Sequence, residues 1–331
     1  MTARRLPTLF AIGLVAAVGV AALVDALRSV HPAPVSSTEP AATTAADREV
    51  AALRAAGAVG VLVVARPDCG VDLLTLPDLA ATTIEACARL EQSGGVVTLD
   101  GRLPSPADNI SVASCTGEGV VLERADVTYS LPGCDPGWRP DGRLTIVHRG
   151  ELWEARPPDV RPRRVLSRAE LRTFFDELLP APDARSLEVA EAAWPSDTRL
   201  VAVLRKAEEP RYLIAAFEGK RLRQWRCCFE DLRTLRVSPA GGFVDVASEQ
   251  GALVFDRGGG FFPVGIADGR PANAVAWSPS DRFVAVARAG SVVVLEPGEE
   301  GLREVARLPI EAGDLRWVAS QRDVVLPEAT N

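Results

Sequence analysis

Apolar residues along this chain come in short runs, and several of these runs follow nearly the same polar phrase. The phrase consists of a tryptophan, a turn built from Ser, Pro, Asp or Gly, and then an apolar strand. Pro fixes φ and Ser or Asp accepts backbone donors, so such clusters form turns, while runs rich in Val and Ile favour strands. The clearest copies are Trp138-Arg-Pro-Asp-Gly-Arg-Leu, Trp194-Pro-Ser-Asp-Thr-Arg-Leu and Trp277-Ser-Pro-Ser-Asp-Arg-Phe.

The copies recur at a regular spacing. Val237-Ser-Pro-Ala-Gly-Gly-Phe is a degenerate copy and Trp317 begins a truncated one, so the phrase starts at 138, 194, 237, 277 and 317. Three of the four intervals are 40 to 43 residues, which is the period of a β-propeller whose repeats each supply one four-stranded blade. Strands that are apolar at nearly every position indicate burial on both faces, as when blade packs on blade.

The number of blades is predicted from the same period. Counting back from Trp138 places two more starts near 97 and 57, and the second falls on an apolar hairpin over 59–64 and 71–76. Residues 315–326 provide only one or two strands, which would complete the first blade and close the ring. The sequence therefore predicts an all-β, six-bladed propeller, with seven blades as the alternative.

Two short helical insertions are expected in this ring. The interval from Trp138 to Trp194 is longer than the others, and in its surplus Ser167 and Glu170 have the spacing of a capping box that opens a helix. A second amphipathic candidate runs over 79–90. We expect both helices to bury their own apolar stripe against blade edges, and a partner-binding helix at the rim is the alternative.

The N-terminus predicts a membrane anchor. Arg4 and Arg5 precede an apolar run over 6–24, and a helix of this length matches the hydrocarbon core of a bilayer. The arginines should stay inside, which leaves the remainder outside the cytoplasm; a cleaved signal peptide is the alternative. The predicted organisation is an anchor or signal peptide over 1–28, a flexible Pro/Ser/Thr/Ala tether over 29–50 and an extracytoplasmic propeller over 51–331.

Six cysteines agree with export, because disulfides persist in oxidising compartments. Four cysteines in the first half of the folded region allow three pairings, and pairing neighbours is favoured since each bridge then closes a loop of fewer than twenty residues inside one blade. The last two cysteines are adjacent and either form a vicinal disulfide or stay unpaired; a redox or metal role is less favoured. The disulfide candidates are Cys69 with Cys87, Cys115 with Cys134, and Cys227 with Cys228.

Charge and motifs exclude several classes of function. The net charge of -7 argues against a surface that follows phosphates, so nucleic acid is not an expected partner. Two histidines, His31 and His148, are too few for a multi-histidine metal site. No nucleophile elbow or dinucleotide fingerprint is found in the sequence. Asp141, Asp197 and Asp281 occupy the same position of the repeated turn, which indicates that they stabilise the turn rather than form a shared carboxylate site. We expect no catalytic residue, no metal and no cofactor.

The best copies of the phrase resemble a known repeat. Trp277-Ser-Pro-Ser-Asp-Arg-Phe-Val-Ala-Val-Ala-Arg, together with Trp138-Arg-Pro-Asp-Gly-Arg-Leu-Thr-Ile-Val-His-Arg-Gly-Glu-Leu-Trp, resembles the WD40-like repeat of TolB-type β-propellers. The resemblance implies a periplasmic or surface interaction module, often six-bladed. It is good over 138–154 and 277–295, fair over 194–217 and weak over 237–255.

Two functions follow as hypotheses from these features. The leading one is a membrane-tethered, extracytoplasmic and non-enzymatic module, a monomeric ring that binds a protein or cell-envelope component through one face. It depends on the repeat, the anchor and the lack of a catalytic pattern. The alternative is an extracytoplasmic enzyme, or a small-molecule or sugar sensor, that uses the central channel.

Overall fold

The repeated apolar runs form small twisted sheets. The computed structural model describes residues 44–108, 111–207, 209, 211–249, 251–256, 261–262, 271–298 and 301–326. Within this part of the chain there are seven sheets, six of four strands and one of three. In chain order the strands are β1 (Gly60–Ala65), β2 (Val71–Leu76), β3 (Ala80–Ile84), β4 (Glu91–Ser93), β5 (Val96–Thr98), β6 (Leu103–Pro104), β7 (Ser111–Thr116), β8 (Gly119–Arg124), β9 (Val127–Leu131), β10 (Cys134–Trp138), β11 (Leu144–His148), β12 (Glu151–Arg156), β13 (Asp159–Leu166), β14 (Leu187–Ser196), β15 (Arg199–Lys206), β16 (Tyr212–Glu218), β17 (Arg221–Phe229), β18 (Leu232–Val237), β19 (Phe243–Ser248), β20 (Gly251–Asp256), β21 (Phe261–Phe262), β22 (Ala274–Trp277), β23 (Val284–Arg288), β24 (Ser291–Gly298), β25 (Gly301–Leu308), β26 (Asp314–Val318) and β27 (Val324–Val325).

Each sheet is one blade of a seven-bladed β-propeller. From the central channel outward, the blades are β26-β1-β2-β3 (blade 1), β4-β5-β27 (blade 2), β6-β7-β8-β9 (blade 3), β10-β11-β12-β13 (blade 4), β14-β15-β16-β17 (blade 5), β18-β19-β20-β21 (blade 6) and β22-β23-β24-β25 (blade 7).

The core of the protein lies between neighbouring blades. Leu62 of blade 1 and Val294 of blade 7 belong to one buried cluster, and Leu152 of blade 4 and Leu213 of blade 5 belong to another. All five residues of β23 are buried. Because each blade is covered by a neighbour on both faces, its strands are apolar at nearly every position.

The C-terminal strand closes the ring, as the truncated copy at Trp317 predicted. β26 pairs antiparallel with β1, with Leu62 opposite Trp317. The Trp317 side chain is fully buried, and its indole N–H donates a 3.0 Å hydrogen bond to the carbonyl of Val59. Ring closure joins the two ends of the propeller and leaves no free inner edge at this junction.

The prediction of six blades is wrong, because the count missed a short blade. Blade 2 has two three-residue strands from the N-terminal half, and its third strand is β27, which pairs parallel to β5 with Val324 opposite Val97. Blade 3 begins with β6, and the turn that follows, Ser105-Pro106-Ala107-Asp108, is a degenerate copy of the phrase that lacks the tryptophan. Two blades therefore occupy the interval in which the period placed one.

The insertion after Trp153 contains the expected capped helix. In helix α2 (Arg168–Phe175), the Ser167 side chain accepts from the Glu170 backbone N–H and the Glu170 side chain accepts from the Ser167 N–H, which confirms the capping box. Leu171 and Phe175 are buried against blades 4 and 5. A one-turn helix α3 (Ala181–Arg185) follows. The helix therefore buries its own apolar stripe.

The helix predicted over 79–90 does not form. Residues 80–84 are strand β3, which pairs with β2 and places Leu73 opposite Thr82. A free strand edge in blade 1 and two β-branched threonines favour the extended conformation over a helical one. Tertiary pairing here overrides a local helical pattern.

The described N-terminal part begins with helix α1 (Ala45–Ala56). This helix starts inside the predicted tether, so residues 45–50 are helical rather than extended and flexible. Leu53 is fully buried between blades 1 and 7, and the Glu49 carboxylate accepts a 2.7 Å hydrogen bond from the backbone N–H of Arg307. The predicted anchor over 1–28 lies outside the described residues. Among the described residues, no helix has the length and apolarity needed to span a bilayer.

The tryptophan phrase joins neighbouring blades. Trp277 of blade 7 stacks on Phe243 of blade 6, with ring centroids 4.3 Å apart. The guanidinium of Arg139 in blade 4 lies 4.2 Å from the ring centroid of Trp194 in blade 5. Each tryptophan therefore packs on the turn of the preceding copy, which adds stacking or cation–π attraction to the apolar burial.

The aspartates of the phrase differ in role. Asp281 of blade 7 reaches the turn of blade 6, where its carboxylate accepts from the Ser238 hydroxyl at 2.7 Å and the Gly242 N–H at 3.0 Å. Asp141 stays in its own turn and accepts the Arg143 N–H at 3.2 Å. The Asp197 side chain is exposed and makes no hydrogen bond within the described part of the chain. The turn role is confirmed for Asp141 and Asp281.

Three disulfides join the six cysteines. Cys69 is bonded to Cys87 and Cys115 to Cys134, with Cα atoms 4.4 and 5.4 Å apart, and Cys227 is bonded to Cys228. This is the pairing favoured from loop length. The second bridge does not lie inside one blade, however, because it joins β7 of blade 3 to β10 of blade 4. A disulfide therefore holds together two blades of the half in which the phrase is weakest.

Candidate functional site in the central channel

The innermost strands enclose a central channel of about 740 Å³. Its walls come from β4, β6, β10, β14, β18 and β26, and its mouth is formed by the turns of the tryptophan phrase. These innermost strands pair with a neighbour on one side only, so both backbone groups of their free edges and side chains line the channel. Among them are five carboxylates and two arginines: Glu91, Asp135, Glu191, Asp197, Asp314, Arg89 and Arg236.

Glu191 is the most perturbed of these carboxylates. It lies in the middle of the apolar run of β14, where its neighbours Val189 and Ala193 are buried, and its Oε1 accepts a 3.3 Å hydrogen bond from the Leu235 N–H of blade 6. Burial raises the pKa of Glu191 to about 7, and the negative charges of Asp135 and Glu91 add to this effect, whereas Arg236 opposes it. Near neutral pH this side chain therefore changes its charge.

Asp135 lies on the same side of the channel, on β10. Burial raises the pKa of its carboxyl, and the charges of Arg89 and Arg205 only partly offset that increase. Glu91 on β4 is paired with Arg89 at 3.3 Å. Three acids from three different blades thus line the same confined space.

An ion-paired group forms the part of the wall contributed by blades 6 and 1, and it begins one residue from the Leu235 that bonds Glu191. Arg236 on β18 donates to both carboxylate oxygens of Asp314, at 3.1 and 3.3 Å, and the fully buried Arg316 donates to the same carboxylate at 2.7 Å. Burial alone would raise the pKa of Asp314, but the charges of both arginines outweigh it, and the pKa lies below its usual value. Burial and repulsion from Arg236 lower the pKa of Arg316 to about 10.

Asp245 lies next to Arg236, on β19, the second strand of blade 6. It is 1 % exposed and stands opposite Arg236 in the β18–β19 pairing. Burial raises the pKa of Asp245 to about 7, against the lowering charges of Arg236 and Arg316. Arg236 is thus held between Asp245 and Asp314, an arrangement in which every charge has an opposite partner.

The channel as a whole favours positively charged guests. Its lining has three more carboxylates than arginines, and the two arginines are engaged with Glu91 and Asp314. Walls of low dielectric strengthen the attraction for a cation. Within the described residues, no group of three Asp, Glu, His or Cys side chains is placed to hold a metal ion.

Most residues singled out from the sequence lie outside the channel, but Trp138, Trp194 and Asp197 line it. Of the six cysteines only Cys115 lines the channel, and His148 at the end of β11 does not. Sequence reasoning missed the channel acids, although a signal is present: Asp135, Glu191 and Asp314 each stand three residues before the tryptophan of a phrase. Equivalent positions of repeated blades face the axis at the same height, so these acids meet in the ring.

The chain is similar to solved structures at low sequence identity. No protein-family model and no curated protein matches the chain. Similar solved structures include a functionally unknown protein from Desulfotomaculum acetoxidans (13 % identity, 79 % of this chain and 100 % of that chain, TM-score 0.49) and the Cps50 (Swd1) β-propeller domain of Myceliophteria thermophila (13 %, 78 % and 87 %, TM-score 0.46). A chain of the mitotic checkpoint complex is similar at 12 % identity, over 78 % of this chain and 76 % of that chain, with a TM-score of 0.46.

Proposed function

We propose that this protein is a membrane-tethered, extracytoplasmic binding module that takes a basic group of a protein or envelope component into its acidic channel. The observation that carries the proposal is the set of channel acids around Glu191. A Lys or Arg side chain entering the channel would meet Glu191, Asp135 and Glu91, of which only Glu91 has an ion pair among the described residues. The role proposed here is binding without catalysis, by a single ring.

The ionisation of Glu191 makes the affinity for a cationic group depend on pH. In the empty channel burial raises the pKa of Glu191 to about 7, and the negative charges of Asp135 and Glu91 add to this effect. A cationic guest adds an attractive charge interaction and favours the ionised form. Binding should therefore tighten as pH rises from about 6 to 8, because more of the Glu191 population is ionised before the guest arrives.

The extracytoplasmic location is supported by the disulfides and the N-terminal sequence. All six cysteines are paired, and such bonds persist outside the reducing cytosol. The arginines before the apolar run over 6–24 favour an orientation with the remainder of the chain outside. The resemblance of the phrase to TolB-type repeats agrees with an interaction module of the cell envelope. Protease treatment of intact cells should degrade the propeller; complete protection, with lysed cells as the control, would contradict this location.

The binding proposal is tested with charged peptides of defined sequence. The full chain in detergent is titrated calorimetrically with hexa-arginine and with hexa-glutamate at constant ionic strength. We expect hexa-arginine to bind more tightly at pH 8 than at pH 5.5, and Glu191→Gln to weaken binding at pH 8 by about tenfold, because one charge-assisted contact is lost. Hexa-glutamate should not bind in the channel.

A matched variant separates the channel from overall charge. Glu118 is exposed in the β7–β8 turn, so Glu118→Gln removes the same charge away from the channel and should leave the affinity for hexa-arginine within about twofold. Equal losses for the two variants, or equal binding of both peptides, would refute the proposal.

A second function is favoured by one observation. A carboxyl with a pKa near 7 in a cleft is the profile of a general acid or base, so Glu191 also suits an extracytoplasmic propeller enzyme or a small-molecule or sugar sensor. The two functions differ in one measurement. A binding module releases hexa-arginine and neutral oligosaccharides unchanged, whereas an enzyme converts its substrate at a rate that Glu191→Gln lowers by at least about a hundredfold.

A further inference from the structure

The outer rim of blade 4 carries a second cavity of about 290 Å³ that shares no lining residue with the channel. It lies where the β12–β13 hairpin meets the start of β11. Four of its six lining residues are arginines, Arg143, Arg156, Arg161 and Arg163, and the other two are Glu154 and Asp159. We call it the rim arginine cavity.

Glu154 forms the floor of this cavity and is already saturated with positive partners. Its carboxylate is 8 % exposed and is held by Arg163 at 2.6 Å, Arg139 at 2.8 Å and Arg143 at 3.5 Å. Burial by itself would raise the pKa of Glu154, but the hydrogen bond from Arg163 and the arginine charges outweigh it, so the pKa is lower than usual. Glu154 therefore stays ionised and keeps three guanidiniums at the cavity.

Two further arginines have no such partner. The side chains of Arg156 and Arg161 are exposed, and among the described residues neither makes a hydrogen bond or an ion pair. Asp159 engages the backbone N–H of Arg161 at 3.2 Å. Arg139 pairs with Glu154, and Asp141 pairs with Arg139. When these two residues are included, the group contains five guanidiniums and three carboxylates. The cavity thus has an excess of two positive charges on a chain whose net charge is -7.

The geometry favours a compact polyatomic anion over an acidic peptide. Guanidinium forks match the oxygens of a phosphate, and two unpaired forks in one concave space can share a tetrahedral anion. A peptide that extended the sheet would need hydrogen bonds along β13, but Pro162 lacks an N–H in this edge strand. Pro157 and Pro158 remove two more backbone donors from the preceding turn. Side-chain recognition of a small anion is what these residues offer.

We propose that the rim arginine cavity binds a phosphate group, chiefly through Arg156 and Arg161. Free inorganic phosphate and the phosphodiester of an anionic phospholipid headgroup present the same chemistry. The site is independent of the channel, so it holds whether or not the channel binds a basic guest.

The test is calorimetry on the full chain in detergent at pH 7.5, with ionic strength held constant by sodium chloride. The probes are inorganic phosphate and glycerophosphoglycerol, the water-soluble headgroup of phosphatidylglycerol. We expect saturable binding of at least one probe, and a loss of affinity of about tenfold or more in Arg156→Gln/Arg161→Gln, because each lost contact to a charged group is strong. Both side chains are exposed, so the variant should retain the urea-unfolding midpoint of the unmodified chain.

The control removes the same charge elsewhere. Arg221 and Arg322 are exposed and make no ion pair in the part of the chain that the structure describes, so Arg221→Gln/Arg322→Gln should bind within about twofold of the unmodified chain. Tighter binding of glycerophosphoglycerol identifies a lipid headgroup as the source, and tighter binding of phosphate identifies the free anion. The proposal is overturned by an absence of saturable binding to both probes, by equal losses in the two double variants, or by binding of hexa-glutamate in place of phosphate.

Discussion

Replacing Glu191 with Gln should make the folded protein more stable at pH 8 and leave its stability unchanged at pH 4.5. The carboxyl has a pKa of about 7 in the folded chain, against a usual value of 4.5. Below pH 4.5 the group is protonated in both the folded and the unfolded state, so it contributes no difference. Between pH 4.5 and 7 the unfolded chain ionises first, and the free energy of unfolding falls; above pH 7 the loss is complete.

The magnitude follows from the size of that shift. The difference between pKa values of 4.5 and about 7, at about 1.4 kcal/mol for each pKa unit, sets an upper limit of about 3.5 kcal/mol. Glu191 retains contact with water in the channel, which reduces the desolvation cost, so we expect about 1–3 kcal/mol. Gln keeps the oxygen that accepts the Leu235 N–H, and the substitution is otherwise nearly isosteric. The variant should thus lose the pH-dependent penalty and little else.

Urea unfolding followed by tryptophan fluorescence at pH 4.5, 6, 7 and 8 measures the effect. The gain of Glu191→Gln over the unmodified chain should grow through this series, and Glu118→Gln should show no comparable trend. A Glu191→Gln variant that is no more stable than the unmodified chain at pH 8 would show that the carboxyl pays no ionisation cost in the channel. The electrostatic basis for cation binding would then fail as well, because a site that already stabilises its own charge gains little from a guest.

Three further predictions concern the ring. Asp281→Ala should lower the free energy of unfolding by about 3 kcal/mol in a urea titration, because two part-buried hydrogen bonds to the turn of blade 6 are lost; Asp197→Ala should cost less than about 0.5 kcal/mol, and equal losses would contradict the inter-blade role. Gly60→Ala should cost on the order of 3 kcal/mol and impair closure, because its Cβ would lie 2.5 Å from the Val318 carbonyl at a φ of +112°; an unchanged urea midpoint would show that the strand can shift. Ser167→Ala should cost about 1 kcal/mol through loss of the capping box, with Ser167→Thr as the variant that retains most of the stability in the same titration.

Local features of the chain were predictable where one repeat or one turn contains all the information. The phrase at Trp277 specifies its own turn and hairpin, and Ser167 with Glu170 specifies a helix start. The pairing of Cys69 with Cys87 followed from their short separation. Each of these depends on residues near one another in sequence, for which backbone preferences and capping are sufficient.

The blade count and the candidate site depended on contacts between distant residues. Blade 2 takes strands from both ends of the chain, so no window of about forty residues contains it. The helix expected over 79–90 became strand β3 because a sheet edge was available to pair with it. Asp135, Glu191 and Asp314 each stand three residues before a tryptophan of the phrase, but their role was visible only once the blades surrounded a common axis.

The sequence by itself determined that this chain is a β-propeller and that its C-terminal strand closes the ring, and it favoured the bridges Cys69–Cys87 and Cys115–Cys134 while leaving Cys227 and Cys228 open. The tertiary structure decided that there are seven blades, that Cys115–Cys134 ties two of them together, and that acids from blades 2, 4 and 5 meet in one channel while unpaired arginines gather on the rim of blade 4. The physical reason is the range of the interactions. Turns and hairpins form from neighbours in the chain, whereas the electrostatics of a channel come from residues that only ring closure brings within a few ångströms of one another.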